Sequence, residues 1–142
     1  MRLEGVESMQ LNAPIANASK GMLWTGRVLS GLIALLFVFD GVGHLMKPAP
    51  VVEAFARLGY PLSASVGIGV LALVCTAIYV IPRTSIFGAI LMTGYLGGAV
   101  STHVRAGSTL FETIFPVILG TLMWAGIYVR DAQLRKLIPL RR

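Results

Sequence analysis

The chain has 142 residues, of which 56% are hydrophobic and 13% are charged, and its formal net charge is +6. Soluble domains carry about 25% charged residues, so this composition excludes an ordinary soluble domain. The basic residues stand at the ends of long apolar segments, where lysine and arginine set membrane orientation, which argues against a nucleic-acid partner. The sequence therefore predicts an all-α integral membrane four-helix bundle whose main partner is the lipid bilayer.

In chain order, residues 1–22 are mixed and polar and are interpreted as a flexible N-terminal tail. A four-span membrane domain over residues 23–129 follows. Each of its apolar segments is about as long as the ~20 residues that a helix needs to cross a bilayer. The segments are 23–43, 63–81, 85–102 and 111–129. The first is too long for a signal-peptide core, so we expect it to be retained.

The distribution of lysine and arginine predicts the orientation. Four spans place both termini on one side, together with the turn after the second segment. That side holds Arg2, Lys20, Arg27, Arg83, Arg130, Arg135, Lys136, Arg141 and Arg142, and the other side holds Lys47, Arg57 and Arg105. Cytoplasmic loops carry the excess of such residues, so both termini are predicted to be cytoplasmic. Residues 130–142 form a basic cytoplasmic tail that we expect to meet anionic lipid.

The longer outer loop, Leu45–Leu62, contains a segment typical of a short helix, Pro50–Leu58. Its apolar residues recur at helical spacing, while Glu53 and Arg57 are four residues apart and are predicted to pair on another face. We expect this helix to lie in the membrane interface, with Phe55 buried and the charges in water.

The third segment is rich in small residues, which let helix backbones approach closely in a membrane. Gly94 and Gly98 form a GxxxG pair, and Gly97 and Ser101 repeat the spacing. We interpret this face as tight packing inside the bundle, and a dimer face is the alternative. Cys75 is the only cysteine, so an intramolecular disulfide is excluded and a small packing residue is predicted.

The predicted topology brings five polar residues to the outer face. Asp40 and His44 end the first segment, His103 and Arg105 end the third, and Glu112 opens the fourth. Asp at a bilayer centre costs about 2.5–3.5 kcal/mol and less near an end, so Asp40 needs a partner. The candidate partners of Asp40 are His44, one helical turn away, His103 and Arg105.

Three interpretations of this cluster stay open: helix packing, a small-molecule or quinone headgroup site, and a metal site. The metal interpretation is the weakest, because no recognised ligand spacing is present, and we predict no metal. The sequence contains no recognisable nucleophile motif, phosphate loop or dinucleotide fingerprint. The Asp40–His44 couple could relay protons, since histidine changes charge near neutral pH.

Four stretches of the chain resemble the DoxX-like family of small bacterial membrane proteins: 51–61, 79–84, 88–105 and 134–140. The resemblance covers residues 26–142, and it is most specific in 88–105, where the glycines match together with His103 and Arg105. It implies a four-span bundle in the bacterial inner membrane. Family members often carry a glutamate in the second span where this chain reads Leu71-Ala72-Leu73, which leaves Asp40 as the only acid deep in a span.

The resemblance also implies a link to redox chemistry. The family is named for likeness to a membrane subunit of a thiosulfate–quinone oxidoreductase, and some relatives are tied to oxidative-stress systems. One hypothesis for the function is therefore a redox-associated component that binds a quinone or another lipophilic molecule. Its binding residues would be Asp40, His44, His103, Arg105 and Glu112. The alternative is a non-catalytic structural or accessory subunit, and a transporter is a third option that would require dimerisation. The chain is expected not to be an enzyme on its own, and to associate with a second copy or a membrane redox partner.

Overall fold

The computed structural model describes residues 19–137, and all regular secondary structure in that range is helical. The helices are α1 (Lys20–Met46), α2 (Ala49–Leu58), α3 (Ala64–Val80), α4 (Ser85–Arg105), α5 (Leu110–Arg130) and α6 (Ala132–Leu137). The predicted all-helical fold is confirmed. Most of the predicted N-terminal tail, residues 1–18, and the last part of the predicted C-terminal tail, residues 138–142, lie outside the described residues.

The ends of α1 lie outside the predicted segment 23–43. Ser19 caps the first turn, because its hydroxyl oxygen accepts a hydrogen bond from the Met22 backbone N–H at 3.2 Å. The helix continues to Met46 and stops at Lys47, which adopts a left-handed conformation with φ 50° before Pro48. With 27 residues, α1 is about 40 Å long.

Three helices in the described part of the chain are long and apolar enough to cross a membrane, namely α1, α4 and α5. The helix α3 is apolar too, but it has 17 residues and is about 26 Å long. The predicted short helix in the loop after α1 is confirmed as α2, which ends at Gly59 with φ 70°.

The four long helices pack side by side in a ring. α1 contacts α3 and α5, and α4 contacts the same two helices from the other side. We call the end of the ring that carries α2 the α2 end, and the end where α5 leads into α6 the α6 end. The buried core between the helices consists mainly of Ile33, Phe37, Cys75, Tyr79, Met92, Met123 and Ile127.

Glycines hold the helices close together, but they are not the glycines that the GxxxG pattern indicated. A Cβ at Gly69 on α3 would lie 2.7 Å from the carbonyl oxygen of Gly41 on α1. A Cβ at Gly126 on α5 would lie 2.8 Å from the Ser30 hydroxyl oxygen of α1. A Cβ at Gly88 on α4 would lie 2.4 Å from the Cα of Tyr79, so only glycine fits there.

The prediction that Gly94, Gly97, Gly98 and Ser101 pack inside the bundle is wrong for this chain. All four residues are exposed, and a Cβ at any of the three glycines would meet no atom within 4 Å. Spacing along one helix shows which residues share a face, but it does not show which face meets a neighbour. The alternative, a face that meets a second copy, stays a prediction.

Candidate functional site

All five predicted site residues lie near the α2 end of the ring. Asp40 and His44 stand in the last turns of α1, His103 and Arg105 in the last turn of α4, and Glu112 in the first turn of α5. The structure does not join them into one cluster. Their polar contacts divide into four sets, and the rings of Phe55 and Tyr60 link His44 to Arg105.

Asp40 forms the most informative of these contacts. Its Oδ2 accepts a hydrogen bond of 2.8 Å from the hydroxyl of Tyr95, which projects from α4 across the ring. Its Oδ1 lies 3.6 Å from Nε2 of His44, so the predicted i,i+4 partnership is confirmed. The ring of Tyr95 packs on Phe37 with 5.8 Å between centroids, which fixes the direction of the hydroxyl.

The carboxylate of Asp40 is only partly covered by these partners. The exposed fraction of its side chain is 47%, whereas that of His44 is 17%. His44 Nδ1 is buried and has no hydrogen-bond partner among residues 19–137. The edge of the His44 ring meets Phe55 of α2 at a centroid distance of 5.4 Å. The site therefore has one accessible acidic group and one enclosed imidazole.

His103 and Arg105 do not contact Asp40, so the prediction that they are its partners is wrong. His103 Nδ1 lies 3.0 Å from the Ser108 hydroxyl. The guanidinium of Arg105 donates to the carbonyl of Leu58 at 2.9 Å and stacks over the Tyr60 ring at 5.3 Å. Arg105 thus supplies a cation to the carboxyl end of α2, where the helix dipole favours one.

Glu112 joins the start of α5 to α2. Its Oε1 accepts a 2.7 Å hydrogen bond from Arg57 Nη2, and its Oε2 accepts from the backbone N–H of Thr109 in a capping box. The predicted pairing of Arg57 with Glu53 is wrong, because Arg57 reaches this more distant carboxylate instead.

Tyr95 is the site residue that the sequence analysis missed. It is the only tyrosine in the middle of an apolar segment, since Tyr79 and Tyr128 lie near segment ends and Tyr60 lies in a loop. Buried tyrosine hydroxyls usually find a hydrogen-bond partner, and Asp40 is the acid that most needs a donor. Because each of the two residues needs a hydrogen-bond partner, the sequence could have predicted that Tyr95 pairs with Asp40.

The chemistry open to this arrangement is hydrogen bonding to a polar group presented at the exposed side of the carboxylate. An ionised carboxylate has about four acceptor positions, and Tyr95 occupies one of them on Asp40. Within residues 19–137, no group of three His, Cys, Asp or Glu side chains is placed to hold a metal ion.

A family model described as the DoxX-like family matches residues 28–126. The match includes all of α4, α1 without its first residues, and α5 without its last residues. Comparison with curated proteins and with solved structures gives no match.

Proposed function

The chain belongs to the DoxX-like family, and on that premise we propose that it binds a quinone or another lipophilic small molecule in the bacterial inner membrane. The site consists of Asp40, His44 and Tyr95. The observation that carries the proposal is the half-exposed carboxylate of Asp40, about 9 Å below the end of α1. Ionisable groups at such depth are rare and are associated with ligand or proton pathways.

The proposal includes four spans. α1 and α5 are antiparallel, since Gly26 near the start of α1 packs on Arg130 at the end of α5. A short loop makes α4 and α5 antiparallel as well, so α1 and α4 run in the same direction. The chain must return from the α2 end to the α6 end between them, and α3 makes this crossing. The contacts of α3 support this, because Ser65 donates to the His44 carbonyl at one end and Tyr79 meets Arg130 at the other.

The proposed orientation places the α6 end in the cytoplasm. Lys20, Arg27, Arg83 and Arg130 belong to that end, and Lys47, Arg57 and Arg105 belong to the α2 end. Two of the latter are engaged in contacts with Glu112 and Leu58, as described above. The positive-inside rule then favours cytoplasmic termini and an Asp40 site near the outer leaflet.

The chemistry of the proposed ligand follows from the donors and acceptors present. A quinone headgroup carries only acceptor oxygens, so Asp40 accepts a hydrogen bond from the hydroxyl of its reduced form, a quinol, or of a similar lipid-soluble alcohol, while Tyr95 holds the carboxylate in place. Exposed apolar side chains of α1 lie beside it, among them Leu36 and Phe39 at 48% and 81% exposure, and these would contact the ligand's hydrophobic part. The proposal contains a binding step and assigns no chemical step to this chain; electrons would be exchanged with a redox partner in the membrane.

A structural or accessory role is the second candidate. The observation in its favour is that His103, Arg105 and Glu112 are engaged in internal contacts at the α2 end. In that case Asp40 and Tyr95 would serve only to tie α1 to α4.

Mass spectrometry of small molecules retained by the protein, purified gently with its native membrane lipids, tests these two candidates. The binding proposal predicts a stoichiometric quinone or other defined lipophile that is lost in Asp40→Asn and retained in Glu53→Gln, which lies on the exposed face of α2. Asp40→Asn keeps the shape of the side chain, so a folded variant is expected. Retention of bulk phospholipid alone, unchanged by Asp40→Asn, would favour the structural role.

A further inference from the structure

A second polar site lies at the α6 end, far from Asp40. A crevice with a volume of about 170 Å³ opens between α1, α3 and α5. Arg27, Ser30 and Gly31 line it from α1, Tyr79 lines it from α3, and Arg130 lines it from α5. Ser30 and Asp40 are ten residues apart on one helix, or about 15 Å along its axis, so the two sites are separate.

The crevice contains a cationic donor that no group in residues 19–137 satisfies. Nη2 of Arg130 is buried, and it has no hydrogen-bond partner in that range. The guanidinium carbon of Arg130 lies 5.6 Å from the centroid of the Tyr79 ring, so the aromatic face supports the cation without accepting its N–H bonds. Ser30, a residue that is 4% exposed, lines the same crevice beside Tyr79. Unpaired buried donors of this kind are costly, and a cation most of all.

No carboxylate of the described chain neutralises this site. Asp131 is next to Arg130 in sequence, but its Oδ1 accepts from the backbone N–H groups of Gln133 and Leu134 and so caps α6. Within residues 19–137, the contacts between acidic and basic side chains are Asp40–His44 and Arg57–Glu112, both at the α2 end. Two arginines therefore meet at one opening without an anion from these residues.

The lining changes from charged to apolar along α1. Arg27 stands at one end of the crevice, and Ala34, seven residues or about 10 Å further along the helix, stands at the other. Val28, Leu32 and Leu35 beside it are 48%, 55% and 65% exposed on the surface that α1 would turn to lipid. A ligand that fits this gradient has an anionic head and an apolar body.

From these observations we propose that the crevice binds the phosphate of an anionic membrane phospholipid. Arginine is suited to phosphate oxygens because its guanidinium presents several N–H donors in a plane. Free phosphate offers the same oxygen atoms, but it would not use the apolar part of the crevice. A neutral quinone headgroup would leave the charges of Arg27 and Arg130 without a counter-ion.

Two variants test the site without removing Arg130, whose Cβ packs on Gly26. Arg27→Gln removes one charge, and Gly31→Leu fills the crevice from a position where a Cβ meets nothing within 4 Å. Arg83→Gln is the matched control, because it removes an exposed charge from the turn between α3 and α4 at the same end. Gly67→Leu is the control for Gly31→Leu, since Gly67 is also exposed and has no atom within 4 Å of an added Cβ.

The measurement is native mass spectrometry of the full chain in a neutral detergent, titrated with phosphatidylglycerol, phosphatidylcholine or inorganic phosphate. We expect one saturable phosphatidylglycerol, and affinity about tenfold weaker in Arg27→Gln and Gly31→Leu. Arg83→Gln and Gly67→Leu should bind as the unchanged chain does. Equal binding of phosphatidylcholine, equal effects of the control variants, or displacement of the lipid by stoichiometric phosphate would each overturn the proposal. Asp40→Asn should leave this binding unchanged, which separates the result from that of the Asp40 site.

Discussion

The hydroxyl of Tyr95 donates a 2.8 Å hydrogen bond to the carboxylate of Asp40, although the two residues are 55 positions apart. This bond joins α1 to α4, helices that face each other across the ring and share few other contacts. It explains how an acid deep in an apolar helix is accommodated. It also leaves part of that acid accessible from the surface.

Tyr95→Phe should lower the free energy of unfolding by about 1 kcal/mol, because a hydrogen bond to the Asp40 carboxyl group is lost in an environment poor in alternatives. Asp40→Ala combined with Tyr95→Phe should cost less than the sum of the two single changes, since each removes the same bond. Unfolding in mixed micelles measures all three variants. Tyr128→Phe, which alters a tyrosine that is 40% exposed, is the control. Additive effects would show that Asp40 and Tyr95 are not coupled.

Gly88→Ala should destabilise the chain by about 1–3 kcal/mol, because the new methyl group would meet the backbone of Tyr79. Gly94→Ala on the same helix should be neutral or slightly stabilising, since nothing lies near its Cβ and alanine is the better helix former. Thermal unfolding in detergent compares the two variants directly. Equal melting temperatures would contradict the close approach of α3 and α4.

The same two glycines show what the sequence could predict and what it could not. Apolar length predicted the long helices, and the helix-breaking residues around Pro50–Leu58 predicted α2. The role of each glycine depends on the rotation of its helix about its own axis, which the spacing of small residues leaves open. Gly94 and Gly98 share a face, but that face points away from α3 and α5, while Gly88 faces α3.

For the candidate site, the sequence predicted where the residues lie but not which partners they contact. Counting spans was enough to bring Asp40, His44, His103, Arg105 and Glu112 to one end of the ring. The partners were mostly wrong because they depend on side-chain reach across neighbouring elements. A local i,i+4 rule paired Arg57 with Glu53, whereas the fold offers Glu112 at 2.7 Å.

Glu112→Gln should loosen α2 while leaving the start of α5 intact, since glutamine also satisfies a capping box. The pair with Arg57 is partly exposed, so the stability change should be small, and smaller still at high salt. Hydrogen exchange of Ala49–Leu58 amides should become faster in this variant. The amides of Glu53→Gln should exchange like those of the unchanged chain. Faster exchange in Glu53→Gln would instead support the predicted pair of Glu53 with Arg57.

Cysteine labelling should show Glu53 outside and Pro82 inside. The background is Cys75→Ala, and both test positions are exposed. A membrane-impermeant maleimide added to intact cells should modify Glu53→Cys and spare Pro82→Cys until the cells are opened. The reverse pattern would invert the proposed orientation. Labelling of both positions in intact cells would contradict a membrane crossing by α3.

Ser101→Cys tests whether the exposed face of α4 meets a second copy. If it does, oxidation of membranes carrying this variant in the Cys75→Ala background should give a disulfide-linked dimer. A cysteine at Val70, on the exposed surface of α3, should give none. Gly98→Ile combined with Ser101→Cys should abolish the cross-link, because a branched side chain separates closely packed helices. Monomers in every variant would exclude this face.

The close fit of Gly88 on Tyr79 has a consequence for how the chain is built into the bilayer. α3 is the shortest of the four long helices, and the turn Pro82–Thr84 gives it almost no separation from α4. In the proposed four-span topology, two helices so joined would present one continuous apolar surface and would enter the bilayer together as a hairpin. The order of synthesis then fits the order of packing, because α1 is already in place when this pair arrives and α5 follows to complete the ring.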